Sequence, residues 1–294
     1  MNILITGAKG QLGTELLRQS TDRGFSAFPV DLPEVDITSS DPVRAAIHDA
    51  GASLVINCAA YTQVDMAESQ EMLAYKVNSL GPAILAHVCS EAKIPLIHIS
   101  TDFVFDGRQQ TPYLETDPAS PISVYGKSKA AGDAVVEKIL NRHIILRTAW
   151  LYALHGQNFV RTILRLGAER DTVKVVSDQL GCPTCAVDLA ETLLTLAEAI
   201  RTQGEIAWGT YHYCGKGVIS WYEFAQAILD IAKPHISLKT SQVYPITTDQ
   251  YPTPAKRPAY SALNCEKIQN EFGIYPKPWR ESLEKMIYLM LAAP

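Results

Sequence analysis

The chain predicts an α/β fold with a doubly wound parallel sheet, helices on both faces, and a smaller lobe drawn from its second half. Short apolar runs alternate with helical patterns through the first half, as expected of strands buried on both faces and joined by right-handed crossovers. A glycine-rich turn, Gly7-Ala8-Lys9-Gly10-Gln11-Leu12-Gly13, follows the first apolar run and opens the first helical pattern. After Arg147 the alternation loosens. The large sheet domain is therefore expected over 1–150, with later segments re-entering it, and the smaller lobe over 151–294.

Asn2-Ile3-Leu4-Ile5-Thr6 reads as the first strand, and 11–23 as the helix after it. A second strand over 25–30 leads to a helix over 41–50. Leu54-Val55-Ile56 is the third strand, followed by helical material over 64–92. Leu96-Ile97-His98-Ile99 is the fourth, before a long loop containing Pro118 and Pro121. The next helix, to about residue 141, carries Ala130, Ala131, Val135, Val136 and Ile139 and feeds a fifth strand over 143–146. Beyond it helices are expected over 158–168, 186–202, 221–231 and 279–291, with short strands over 173–176 and 211–213. The proline-rich segment 251–258 is an extended loop, because proline fixes φ and lacks a donor. There is no internal repeat and no low-complexity linker.

With 294 residues, 47% hydrophobic and 19% charged, the composition is that of an ordinary globular protein with ample core. A formal charge of −5 without a basic run argues against nucleic-acid binding. No apolar stretch approaches the roughly 18 residues of a membrane span, and no signal-type core precedes the first strand. A soluble, cytoplasmic protein is expected, with its six cysteines reduced. Cys182-Pro183-Thr184-Cys185 lacks the second pair or nearby histidines of a zinc site. It also lacks the strand context of a redox motif. It is read as coincidence.

The chemistry centres on Tyr125-Gly126-Lys127-Ser128-Lys129. Residues four apart on a helix share a face, so Tyr125 and Lys129 present a phenol and an ammonium together. A phenol with a pKa of roughly 10 is a poor proton donor at neutral pH, and a neighbouring cation is expected to lower it. That pairing suits proton transfer at an oxygen whose carbon undergoes hydride transfer. Taken alone, the spacing recurs by chance, and Tyr125 reads as a half-buried helix-start tyrosine and Lys129 as a solvated charge.

The glycine turn permits close approach of a pyrophosphate to a helix N-terminus. Its strand–turn–helix context marks residues 7–13 as a dinucleotide site, although the spacing is G-x-x-G-x-x-G. The sheet is therefore expected to be of Rossmann type, and the second lobe to bind substrate. Asp31 ends the second strand, where an acid commonly meets the adenosine ribose. Asp31 also suits a simple turn role, and Glu34 and Asp36 follow it closely. Ser100-Thr101-Asp102 ends the fourth strand, at the carboxyl edge where open α/β sheets place ligands.

These features together resemble the extended short-chain dehydrogenase/reductase superfamily. Asn57-Cys58-Ala59-Ala60-Tyr61-Thr62-Gln63-Val64-Asp65, 100–107, 125–129, 147–152, 156–159, 178–184 and 253–258 resemble the dTDP-4-dehydrorhamnose reductase family, in order and across essentially the whole chain. The resemblance implies hydride transfer from NADPH or NADH to the 4-keto carbon of a dTDP-4-dehydro-6-deoxy sugar. It implies Tyr125 as general acid, Lys129 on the nicotinamide ribose, and Thr101 polarising the carbonyl. Gly7, Lys9, Gly10, Gln11, Leu12, Gly13, Asp31, Asp36, Ile37, Cys58, Ala59, Ala60 and Tyr61 would meet the cofactor. Val64, Asp65, Asp102, Phe103 and Trp150 would meet the sugar, and Asn158 and Arg257 the nucleotide end. Cys58 and Phe103 stand where many relatives are expected to have alanine and tyrosine. Some relatives dimerise through a metal held by acids; Glu15 lacks a convincing partner set near Asp188, so no metal is expected. A monomer or homodimer acting on a small nucleotide sugar, with no membrane or nucleic-acid partner, completes the expectation. A nucleotide-sugar epimerase or dehydratase is the same-fold alternative, and a non-catalytic NAD(P)-binding regulatory subunit the alternative from another class. Loss of Tyr125 or Lys129 would favour the latter, and both are present.

Overall fold

A computed structural model describes residues 1–203 and 205–292. The first half runs β1 (Asn2–Thr6), α1 (Gln11–Ser20), β2 (Ser26–Val30), α2 (Ser40–Asp49), β3 (Leu54–Asn57), α3 (Val64–Ala67), α4 (Glu71–Tyr75), α5 (Gly81–Ala92), β4 (Leu96–Thr101), α6 (Val124–Ile139) and β5 (His143–Thr148). The second half adds β6 (Leu151–Tyr152), α7 (Phe159–Glu169), β7 (Thr172–Val176), β8 (Leu180–Gly181), β9 (Thr184–Cys185), α8 (Ala186–Gln203) and β10 (Gly209–His212). It ends with β11 (Ile219–Ser220), α9 (Trp221–Ala232), β12 (Gln242–Ile246), α10 (Glu266–Phe272) and α11 (Trp279–Ala292).

Six strands form one sheet in the order β10-β5-β4-β3-β1-β2, with every pairing parallel. The order reverses between β1 and β3, and that switch point is where such sheets open a crevice. β3 and β5 are buried along their whole length, which explains the apolar runs Leu54-Val55-Ile56 and Ile144-Ile145-Leu146 within them. One face packs Ile3, Ile5, Leu54, Ile56 and Ile144 with α1 and α8; the other packs Leu4, Val55, Leu96 and Ile145 with α2, α5 and α6. A separate core gathers Val160, Ile163, Phe224, Ile228, Leu283 and Met286 from α7, α9 and α11. β10 joins the main sheet on β5 from the second half of the sequence.

The helical stretch expected over 64–92 is broken. α4 runs into a π-helical turn, Lys76–Leu80, before α5 begins. The wider turn brings the Asn78 side chain against the Tyr61 backbone, accepting its N–H at 2.8 Å and donating to its carbonyl at 3.0 Å, and donating to Ser128 Oγ at 3.0 Å. β12 pairs with β7; this strand and α10 were not apparent from apolar periodicity.

Gly132 lets α6 lie against this turn, since a Cβ there would run into the Asn78 carbonyl. Gly132→Ala is expected to cost about 1–3 kcal/mol of stability by overpacking, seen as a lower urea midpoint with an unchanged slope.

Candidate active site

β1 delivers the chain into Gly7 at the carboxyl edge of the sheet. Its φ is +64°, and a Cβ would lie 2.6 Å from the Ala59 nitrogen, so the position requires glycine. α1 then starts without a side-chain cap and without an acid in its first turn. By contrast α6, α7 and α9 are capped by Ser123, Asn158 and Ser220. The open N-terminus of α1 lines a cleft of about 780 Å³ with Gly7, Lys9, Gly10, Gln11, Leu12 and Gly13. Uncapped N–H groups at a helix start suit a phosphate.

Asp31, Asp36 and Ile37 line the same end. Asp31 fills the turn role: its Oδ2 accepts the Lys9 N–H and its Oδ1 the Leu32 N–H, both at 2.8 Å. The exposed Lys9 ammonium reaches the Leu32 carbonyl at 2.7 Å and Glu34 Oε2 at 3.3 Å. The Asp36 carboxylate accepts from the backbone N–H and hydroxyl of Thr38, which hold it below the usual carboxylate range.

Farther along, Cys58, Ala59, Ala60, Val64, Thr101, Asp102, Phe103, Tyr125, Lys129 and Trp150 line the cleft. Tyr125 lies in the first turn of α6, edge-on to Phe103 with centroids 5.6 Å apart. Lys129, one turn on, donates to the Ile99 carbonyl at 2.6 Å. The expected lowering of the Tyr125 pKa by Lys129 is not found. Burial pushes the phenol up to about 12; Thr101 pulls it down, while Asp102 and Asp133 raise it further. The phenol is thus held neutral at pH 7, the form that donates a proton. Burial also brings the Lys129 ammonium down to about 8, with Asp133 opposing. The Cys58 thiol is pushed up to about 12 by burial and stays protonated.

Trp150 and Trp221 stack with centroids 3.5 Å apart and planes 7° from parallel. They and Phe103 also border a second cavity of about 340 Å³, which holds Lys174, Gln179, Tyr251 and Arg257. Arg257 lies there rather than in the first cleft and pairs bidentately with Asp65, at 3.1 and 2.8 Å. Burial works the other way, but Arg257 and the Ala255 N–H hold the Asp65 carboxyl below its usual range. Asp65 therefore fastens the 251–258 loop to α3 instead of lining the cleft. Asn158 also lies outside the lining; it caps α7 and donates to Gln11 Oε1 at 3.0 Å. The Tyr61 phenol turns to Gln70 at 3.0 Å and packs with Ala67, Ala74 and Val124.

Trp221, His155, Gly156 and Gln157 line the cleft and were not singled out as site residues. The left-handed Gly156, φ +76°, folds the 153–158 loop over Gln11. In the sequence Trp221 marks only a helix start, and no local pattern marks a stacking partner 71 positions from Trp150. Glu15 is held by Arg18 and Gln19, and Asp188 by Lys277 and Ser282. Among the described residues no group of three acids, histidines or cysteines is placed to hold a metal. Cys182 and Cys185 belong to different cores.

Asp102 is buried and pushed up to about 6 by desolvation. Its folded pKa exceeds its unfolded one, so its ionisation penalises the fold above pH 6, and the penalty vanishes below pH 4. Asp102→Asn is expected to raise stability by about 1–2 kcal/mol at pH 8 and to change little at pH 4, as read from thermal melts at both values.

The family model described as RmlD substrate binding domain matches residues 1–291. A dTDP-4-dehydrorhamnose reductase of Aggregatibacter actinomycetemcomitans is 43% identical, covering 97% of each chain. The crystal structure of a dTDP-4-dehydrorhamnose reductase from Clostridium acetobutylicum superposes with a TM-score of 0.91 at 41% identity, covering 99% of each chain. One from Bacillus anthracis, in complex with NADP, gives 0.89 at 36% identity, covering 97% of this chain and 98% of that one. The resemblance carried by the motifs thus holds across the whole length: the chain belongs to the dTDP-4-dehydrorhamnose reductase family.

Proposed function

We propose that the chain reduces the 4-keto group of dTDP-4-dehydro-6-deoxy-L-mannose to give dTDP-L-rhamnose, using NADPH or NADH. One observation carries this most directly. A single cleft runs from the open N-terminus of α1 to Thr101, Tyr125 and Lys129, then meets a second cavity across Trp150 and Trp221. The residues fit a dinucleotide at one end and a nucleotide sugar at the other.

A reduced nicotinamide bound in the first cleft supplies the hydride. Tyr125, neutral and desolvated, gives its proton to the oxygen on which charge develops. Thr101 shares that oxygen. Its hydroxyl donates to Asp102 Oδ1 at 3.0 Å here, so it must swing toward the cleft to polarise a carbonyl. Lys129 keeps N–H groups free for ribose hydroxyls. Val64, Phe103 and Trp150 shape the sugar site, and the second cavity, with Lys174 and Arg257, takes the charged nucleotide end.

The dehydratase alternative is disfavoured because Asp102 is followed by Phe103, leaving no adjacent acid pair beside Thr101; an epimerase would retain its NAD through the cycle and consume no reduced cofactor. A purely regulatory role is disfavoured because Tyr125 and Lys129 both face the cleft. We place the enzyme in the cytoplasm as a monomer or homodimer; no described helix is long and apolar enough to cross a membrane.

The decisive assay follows loss of NADPH or NADH absorbance with the dTDP-4-keto sugar. Tyr125→Phe is expected to cut turnover by about 10²–10⁴ with cofactor affinity nearly intact; unchanged turnover would remove Tyr125 as the acid. Because Asp31 holds the turn, Asp31→Ala should weaken both cofactors alike. Lys9→Ala should raise KM for NADPH several-fold and spare NADH, since only a 2′-phosphate rewards that cation.

A further inference from the structure

Behind the cleft, between β4 and α6, lies a buried polar layer that no step above uses. Lys129 and Asp133 are one turn apart on α6, yet no ion pair joins them. Both approach the edge of the fully buried His98 ring, whose Nε2 is 3.4 Å from Lys129 Nζ and 3.7 Å from Asp133 Oδ1.

The tautomer of that ring follows from its other side. Asn57 Oδ1 accepts the Ala59 N–H at 3.1 Å and the Thr6 hydroxyl at 2.6 Å. Its NH₂ group is therefore turned to His98 Nδ1, at 2.9 Å. An amide NH₂ only donates, so Nδ1 is bare, and the ring, kept neutral by burial, carries its proton on Nε2. Asp133 Oδ1 lies 3.7 Å from this nitrogen and has no hydrogen-bond partner within bonding distance among the described residues. The other Asp133 oxygen accepts from Ser100 Oγ at 2.7 Å and Arg147 Nε at 3.4 Å.

We propose that His98 and Asp133 are positioning residues for Lys129. The carboxylate keeps the ammonium charged from one imidazole away, and the ring edge stops the two from closing into an ion pair that would draw the ammonium out of the cleft. In a desolvated site a charge acts over such a distance, so Asp133 supports protonation without occupying a Lys129 N–H. The groups around Lys129 are Cys58 from the loop after β3, His98 and the Ile99 carbonyl of β4, and Tyr125 and Asp133 of α6. Arg147 and His143 of β5 act on Asp133 and His98 in turn. Asp133 is the carboxylate that raises the proton affinity of Lys129. The inference builds on the role given to Lys129 above.

The test is a titration of Lys129 in the full chain by ¹³C-lysine NMR, its resonance identified by loss in Lys129→Arg. Asp133→Asn is expected to move the midpoint down by about one unit or more. His98→Asn places its Oδ1 where Nδ1 stood, keeps the Asn57 bond and removes the separating edge. It is expected to move the midpoint up by about one unit and to raise KM for the cofactor more than it changes kcat. A merely structural role would lower activity at every pH and leave the midpoint still. Unmoved midpoints, or a downward shift in His98→Asn, overturn the proposal; if Asp133→Asn does not fold, His98→Asn alone decides. The titration needs neither substrate nor cofactor, so loss of the reductase assignment and loss of this one are separately visible.

Discussion

Keeping one ammonium out of water is the constraint on which the cleft depends. Taking a charge from water costs several kcal/mol unless other groups replace its hydration. For Lys129 that replacement is a carbonyl at the end of β4 and a carboxylate one turn along α6. Both require α6 to lie close against β4 and the π-helical turn, which glycine at 132 permits. The same dry surroundings keep Tyr125 protonated. Donor and cation are thus prepared by desolvation rather than by acting on each other.

The second half of the chain supplies the far wall through an aromatic shelf. Trp150 adopts φ of 45°, a left-handed conformation rare for an aromatic residue, which costs on the order of 1–3 kcal/mol. Stacking on Trp221 offsets about 0.5–1.5 kcal/mol of this. Gly181 makes the position available, because a Cβ there would sit 2.5 Å from the indole. The shelf separates the two cavities and belongs to both.

Much of this was legible in the sequence. β1, β3, β4 and β5 were visible because burial on both faces writes continuous apolar runs, whereas β2 is a half-exposed edge strand that only the alternation with helices marks. The glycine turn and the Tyr125–Lys129 spacing were visible because their geometry is local. What was hidden depends on chain segments far apart. The Arg257–Asp65 pair spans 192 positions, and Asn158 reaches Gln11 across 147. Direction was hidden too: Asp31 lines the cleft, and the sequence does not show that it also ties down the backbone of the turn beside it. The phenol pKa was misjudged because spacing shows a neighbouring cation, whereas burial depends on everything packed around it.

β10 has a consequence for how the molecule is assembled. The strand that covers β5 is drawn from residues 209–212, so β5 waits with an open edge until most of the polypeptide has been synthesised. Exposed apolar edges recruit other strands, and contacts between distant segments form slowly. A fragment cut after the fifth strand would carry the glycine turn, the phenol and the amine, and still present a sticky border in place of a finished sheet.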